Sequence, residues 1–386
     1  MINDFMFELR TKVIFGNGCI EQVGEIAKEL GGTKIMLVAD KGVRSLGITG
    51  KVKDSLKAQG LKVIDFDKVV PNPVIKDCEE GAKIAIKEKI DLVVSVGGGS
   101  SMDTAKAIAA MMAHNTTDFE VIKYPNVFTA KVCPTIAIPT TAGTGSEVTP
   151  FGVITNEKTL NKDFFLDSQA VPNVALADPE VLFGLPADIA ASTGVDALTH
   201  AIEGYVTKAT NPITEACGIY AIKLLSENLR KFVYNRDSES CKAMLVGSLL
   251  AGISFGFSDT ASVHSMAETI GGIYDAPHGV SNAIFLAPVT EFSIPGDVEK
   301  YANIAKAMGV CCSELSTREL ADAAVDEIKL LVHDLAIPKF KDIKGVNPKD
   351  FPMIAERCVE HTSTGNNPRV FTKEDYLKIL HEAYEA

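Results

Sequence analysis

Residues 91–112, DLVVSVGGGSSMDTAKAIAAMM, read as a strand, a triple glycine and a helix. Glycines let a backbone approach a phosphate closely, and the free N–H groups at a helix start favour negative charge. Ser100 and Ser101 offer hydroxyl donors, and Asp103 is expected in the first helical turn. The competing reading is a plain turn with an N-cap. The usual dinucleotide fingerprint is absent, because Met102 stands where GxGxxG needs its third glycine. The loop is also expected after the third strand of its domain, not the first, so an ordinary Rossmann domain does not fit.

Working outward, the first half alternates short apolar runs with helical patterns. KIMLVAD (34–40), LKVIDFD (61–67) and CPTIAIP (133–139) read as further strands, with helical stretches near 50–59 and through 76–88. This alternation predicts parallel βαβ units and a doubly wound, Rossmann-like α/β domain. FMFELRTKVIFGNG (5–18) alternates apolar and polar residues and predicts a strand or hairpin. After about residue 180 strand-like runs give way to long helical patterns, so a helical domain is expected over 183–386 behind an α/β domain over 1–182. With no long linker, the domains are expected to pack closely around a cleft.

Two further features of the first half suit a nucleotide. PTTAGTGSE (139–147) places small hydroxylated residues and two glycines behind another strand, which allows close contact with a sugar–phosphate. Asp40 ends KIMLVAD, where an acid can bind ribose hydroxyls and repel a 2′-phosphate; a surface acid or N-cap is the equal alternative.

In the second half, three of the chain's seven histidines fall within residues 200–278. Asp196 and His200 in GVDALTHAIEG stand at i and i+4, so they share one helix face among apolar neighbours. TASVHSMAETIGG carries His264, and DAPHGVSNAIF carries His278 after a proline. Each histidine alone reads as a core or surface residue; together with a carboxylate that is costly to bury unpaired, they suggest a metal site. Three imidazoles and a carboxylate suit a borderline divalent cation such as Fe²⁺, or Zn²⁺ as runner-up. His114, His333, His361 and His381 read as structural or solvated.

The 386 residues, 46% hydrophobic and 23% charged, are those of a folded chain of two domains. A formal charge of −12 argues against a nucleic-acid footprint. Eight cysteines form no CxxC pair, and MINDFMFELR lacks a basic then apolar export pattern, so a cytoplasmic protein with reduced thiols is expected. No apolar run is long enough to span a membrane.

Taken together, FELRTKVIFGNG, GGGSSMDTAK, PTTAGTGSE, ADP (177–179), GVDALTHAIE, VH (263–264), APHGVSNAIFL and GNNPR (365–369) resemble the iron-containing (group III) alcohol dehydrogenases over nearly the whole chain. The resemblance implies a dinucleotide-binding domain followed by an all-helical metal-binding domain. It implies Asp196, His200, His264 and His278 as metal ligands. It also implies Asp40, Asn72, Gly98, Gly99, Ser100, Asp103, Thr140, Thr141, Thr144 and Lys162 as NAD contacts. The activity implied is reversible hydride transfer between NAD and a small primary alcohol or diol. The alternatives are polyol (glycerol-type) oxidation or dehydroquinate-synthase-like lyase chemistry within the superfamily, and more remotely a non-catalytic nucleotide-binding protein. Three histidines favour the iron-type branch, since those relatives generally use fewer. Family members commonly pair through the N-terminal strand, so a homodimer or higher homo-oligomer is expected. The sequence departs from the pattern at Glu268, where many members carry a second histidine, and in GFSDTAS (256–262). Glu268 is expected on the face that points at the metal, as a proton relay or as a partner orienting His264.

Overall fold

The computed structural model describes residues 4–311 and 313–386. Met1, Ile2, Asn3 and Cys312 therefore lie outside the described residues; the seven described cysteines are free thiols. The chain divides into two compact units, one of residues 8–141 and 145–185, the other built mainly from residues 186–386 together with 142–144.

The first unit is a six-stranded sheet in the order β1-β8-β5-β4-β2-β3, every pairing parallel. Its strands are β1 (Lys12–Phe15), β2 (Lys34–Asp40), β3 (Lys62–Val69), β4 (Leu92–Gly97), β5 (Thr135–Pro139) and β8 (Val174–Ala177). The intervening helices are α1 (Val23–Glu29), α2 (Lys41–Ser45), α3 (Ile48–Ala58), α4 (Ile75–Glu88) and α5 (Gly99–Ala113). β4 is a near-continuous apolar run because both its faces are covered, and Leu92, Val93, Val94 and Val96 are all buried. The glycine loop follows the fourth strand in chain order, not the third, because Lys12–Phe15 joins the same sheet ahead of the others.

β2 continues outward to β3, while β4 returns to β2's other side and the chain then runs the opposite way. The carboxyl ends of β2 and β4 therefore flank a topological switch point, where open α/β sheets bind ligands. Asp40 and Gly97–Gly99 both stand there.

The N-terminal stretch is a strand only over Lys12–Phe15, and it forms no hairpin. Its partner is the remote β8, which is only four residues long and so limits the pairing. Residues 151–166, not anticipated, form the antiparallel hairpin β6 (Phe151–Asn156) and β7 (Asn161–Leu166). Ile154 and Phe165 pin this hairpin to Cys78, Ala107, Met111 and Phe119 in a buried cluster.

The second unit is helical. Among the described residues it comprises α6 (Ala187–Val206), α7 (Pro212–Tyr234), α8 (Ser238–Gly256), α9 (Ser262–Tyr274), α10 (His278–Ser293), α11 (Val298–Ala307), α12 (Thr317–Asp334), α13 (Phe351–Glu360) and α14 (Lys373–Glu385). α6 is buried nearly all round from Gly194 to Val206, so its polar side chains must find partners inside the unit.

Candidate metal centre and nucleotide loops

Four side chains from three helices converge. Asp196 and His200 come from one face of α6, His264 from the first turn of α9, and His278 opens α10 behind Pro277. One ligand atom from each lies within 4.8 Å of those of the others. His264 Nε2 and His200 Nε2 are 2.9 Å apart, and His278 Nε2 lies 3.5 Å from Asp196 Oδ1. Ligands about 2.1 Å from a common ion stand roughly 3–3.5 Å from one another, so the spacing fits a bound cation.

The surroundings agree. Asn282, one turn beyond His278, donates through Nδ2 to Asp196 Oδ1 at 2.6 Å, and the same nitrogen lies 3.1–3.2 Å from His278 and His264 Nε2. The lone pairs of the cluster thus converge on positive charge, here the partial charge of an amide N–H. Burial opposes ionisation of Asp196, yet the neighbouring imidazoles together with the Asn282 N–H bond outweigh it and hold its pKa below the ordinary value. Burial pushes the His200 pKa down to about 3, which keeps the ring neutral and its lone pair available. His200 also stacks on Phe255, which fixes the plane of its ring.

Two of these neighbours escaped the sequence reading. Asn282 is one. The other is Glu203, whose Oε2 accepts from His264 Nδ1–H at 2.6 Å. Its place at i+3 from His200 was the available signal. Glu203 therefore holds the role of orienting His264, which the sequence reading had allowed for Glu268. The Glu268 carboxylate instead accepts from His361 Nε2–H at 2.9 Å, because His361 Nδ1 accepts from the Ser363 N–H and leaves the proton on the other nitrogen. Burial would raise the Glu268 pKa, but the His361 bond and the nearby imidazoles hold it down to about 2. His361 is accordingly a paired group and not a solvated one.

In the α/β unit, Gly98 caps α5 and Gly99 and Ser100 open it. A Cβ on Gly98 would sit 3.1 Å from Thr141 Oγ1, so that hydroxyl borders the loop. A Cβ on Gly97 would strike Ser101 and come within 3.4 Å of Asp40 Oδ2. Ser101 Oγ is buried without a partner beside this helix start. Thr140 is buried, its N–H held by the Gly97 carbonyl at 3.0 Å. Asp40 does act as an N-cap, accepting from the Val43 N–H through Oδ1. Lys162 on β7 donates to Asn72 Oδ1 at 3.0 Å and to Thr155 Oγ1, which brings those two candidates together. Thr144 falls in the stretch 142–144 that groups with the helical unit.

Asp103 departs from expectation. It lies beyond the first turn of α5, and its two oxygens accept from Ser146 Oγ at 2.6 Å and the Val153 N–H at 3.0 Å. One turn on, the buried Lys106 donates to Ser146 Oγ, the Thr149 carbonyl and the Phe151 carbonyl at 2.8–3.0 Å. Asp103 and Lys106 together hold residues 146–153 against α5, which sets the course of the PTTAGTGSE loop.

A parallel α/β unit with a glycine loop at its switch point, joined to a helical unit with a buried three-imidazole, one-carboxylate cluster, defines a metal-dependent dehydrogenase architecture. Residues 10–179 match the iron-containing alcohol dehydrogenase family and residues 190–384 match the C-terminal domain of that family. The chain is 38% identical over 375 residues to a 1,3-propanediol dehydrogenase of Citrobacter freundii, covering 96% of each chain. It is 36% identical to an NAD-dependent methanol dehydrogenase of Bacillus methanolicus, over 96% of this chain and 97% of that one. The crystal structure of a 1,3-propanediol oxidoreductase superposes with a TM-score of 0.94 at 37% identity, covering 99% of this chain and all of the other. The chain belongs to the iron-containing alcohol dehydrogenase family.

Proposed function

We propose that this enzyme interconverts small primary alcohols or diols and their aldehydes with NAD, using Fe²⁺, or Zn²⁺ as runner-up, held by Asp196, His200, His264 and His278. The convergence of those four side chains carries the reading. The NAD-dependent relative and the diol-dehydrogenase relatives support the cofactor and the substrate class. A bound divalent cation supplies Lewis-acid polarisation of the substrate oxygen, and the nicotinamide carries the hydride.

The protein's own groups do the rest. The N–H groups at the start of α5, with Gly98, Gly99, Ser100, Thr140 and Thr141, suit the pyrophosphate, and Asp40 suits the adenosine ribose. Asn72 and Lys162 line up a donor and acceptor pair for the same cofactor. Thr144 is carried by the family pattern alone, and Asp103 acts by positioning residues 146–153. Glu268, four residues after His264 on α9, forms through Oε2 a proton-holding pair with His361 Nε2–H, and we assign the two the relay to solvent. Among the described residues no helix is long and apolar enough to cross a membrane; we place the enzyme in the cytoplasm. β1 is an edge strand with Leu9 just ahead of it and Phe15 at its end exposed, which supports pairing into a homodimer or higher oligomer.

The test is a panel of short alcohols, diols and aldehydes with NAD and anaerobically Fe²⁺-loaded protein. Aldehyde-dependent NADH oxidation is expected; activity only on polyols, or none with any alcohol, overturns the reading.

A further inference from the structure

Glu203 lies on α6 three residues after His200 and seven after Asp196, so the three form one stripe along the helix. Both of its oxygens face the start of α9. Oε1 accepts from the Val263 N–H at 2.7 Å, and Oε2 accepts from the Ala261 N–H at 3.0 Å, the His264 N–H at 3.4 Å and His264 Nδ1–H at 2.6 Å. The first turn of a helix has N–H groups with no partner of their own. The N-cap position of α9 is Ala261, which has no side-chain acceptor, so a carboxylate from another helix does the capping. A negative charge there also suits the helix dipole. The bond to Nδ1 has a second effect. A neutral imidazole that donates from Nδ1 keeps its Nε2 lone pair free, and Nε2 is the atom that faces His200 and Asn282.

We infer that Glu203 is a positioning residue of the metal centre: one buried carboxylate that starts α9 and fixes His264 as an Nε2 ligand. Its charge, added to that of Asp196, also balances a divalent cation inside an apolar unit. The inference rests on the metal reading of the Asp–His cluster.

It is tested on the full-length protein by Zn²⁺ titration against a chelator of known affinity, alongside helix content and thermal stability. Glu203→Gln replaces one acceptor by a donor facing N–H groups. Affinity should fall about 10–100-fold with helix content retained. Adding Ala261→Ser restores a side-chain cap, and should recover thermal stability but not affinity. Unchanged affinity in Glu203→Gln, or recovery of both properties in the double variant, overturns the inference. A readout on the unmutated protein guards against a variant that fails to fold. Imidazole nitrogen NMR should find His264 protonated on Nδ1 and bare on Nε2, and the opposite tautomer overturns the inference. Failure of the unmutated protein to take up Zn²⁺, with the Nδ1–H tautomer found, sinks the metal reading and takes the ligand role of His264 with it.

Discussion

The two units treat their buried polar groups in opposite ways. In the α/β unit, Lys106 is nearly inaccessible and its ammonium meets the Thr149 and Phe151 carbonyls and the Ser146 hydroxyl, so its charge is absorbed by backbone and loop. In the helical unit, His200 Nδ1 and Asn282 Oδ1 have no hydrogen-bond partner, and the Nε2 atoms of His200 and His264 face one another. A buried charge whose bonds go to loop backbone braces the fold, whereas lone pairs converging on one point suit a ligand. The α/β unit has two exceptions, Glu147 Oε1 and Ser101 Oγ, the latter unpartnered where the phosphate reading needs a donor.

The largest effect that probes this contrast is His278→Ala. Removing one of the four proposed ligands should strip the cation and lower turnover by about 10³-fold or more. Metal analysis and steady-state rates on the same sample check it; full metal with full activity would erase the distinction between the units. Lys106→Met tests the scaffold side. Leaving its acceptors buried without a donor should cost about 3 kcal/mol of stability by chemical denaturation, with Zn²⁺ uptake unchanged. A loss of metal instead would show that the two regions are not separable.

Glu268→Gln keeps shape but removes the ionisable group. Metal content should hold while turnover falls roughly 10²-fold. Loss of the metal would move Glu268 among the ligands, and unchanged turnover would make the Glu268–His361 pair a structural contact. Asp40→Asn is subtler, because the amide oxygen can still accept from the Val43 N–H and keep the α2 cap. The preference for NAD over NADP, measured as kcat/KM, should narrow about tenfold if the charge faces the ribose; an unchanged ratio leaves Asp40 as a cap alone.

The last effect is a pH dependence. Burial raises the Glu147 pKa from 4.5 to about 7. Between those values the folded state holds a proton that the unfolded chain has released, so this group's contribution to stability declines as pH rises from 4.5 towards 7. Glu147→Gln should flatten that part of the profile measured by thermal unfolding, and an unaltered slope would assign it to other groups.

Much of this was legible in the sequence because helix periodicity is local. Asp196 and His200 share a face whatever surrounds them, and a strand, three glycines and an Ala-rich helix specify a loop by themselves. What stayed hidden depends on distant partners. Glu203 acts on residues 261–264, and Asp103 bonds to Ser146 and Val153, more than forty residues further along the chain. The β6–β7 hairpin was missed because its anchors, Ile154 and Phe165, bury against α4 and α5 residues far back in the chain. The alternation of residues 5–15 predicted more strand than forms, since β8 offers pairing for only four residues.

The pairing of Lys12–Phe15 with Val174–Ala177 also sets a timetable for synthesis. As the chain leaves the ribosome, β2 to β5 can assemble in turn, but β1 has no neighbour until residue 177 has emerged, since β8 alone joins it to the sheet. Until then an amino-terminal segment bearing Phe5, Met6, Leu9 and Phe15 is an unpaired strand former. The interval between the first and last strands of this sheet is thus a period in which β1 has no strand to pair with. A trigger that slows translation before residue 177 has emerged would lengthen it, whereas a pause after that emergence would leave the sheet free to close.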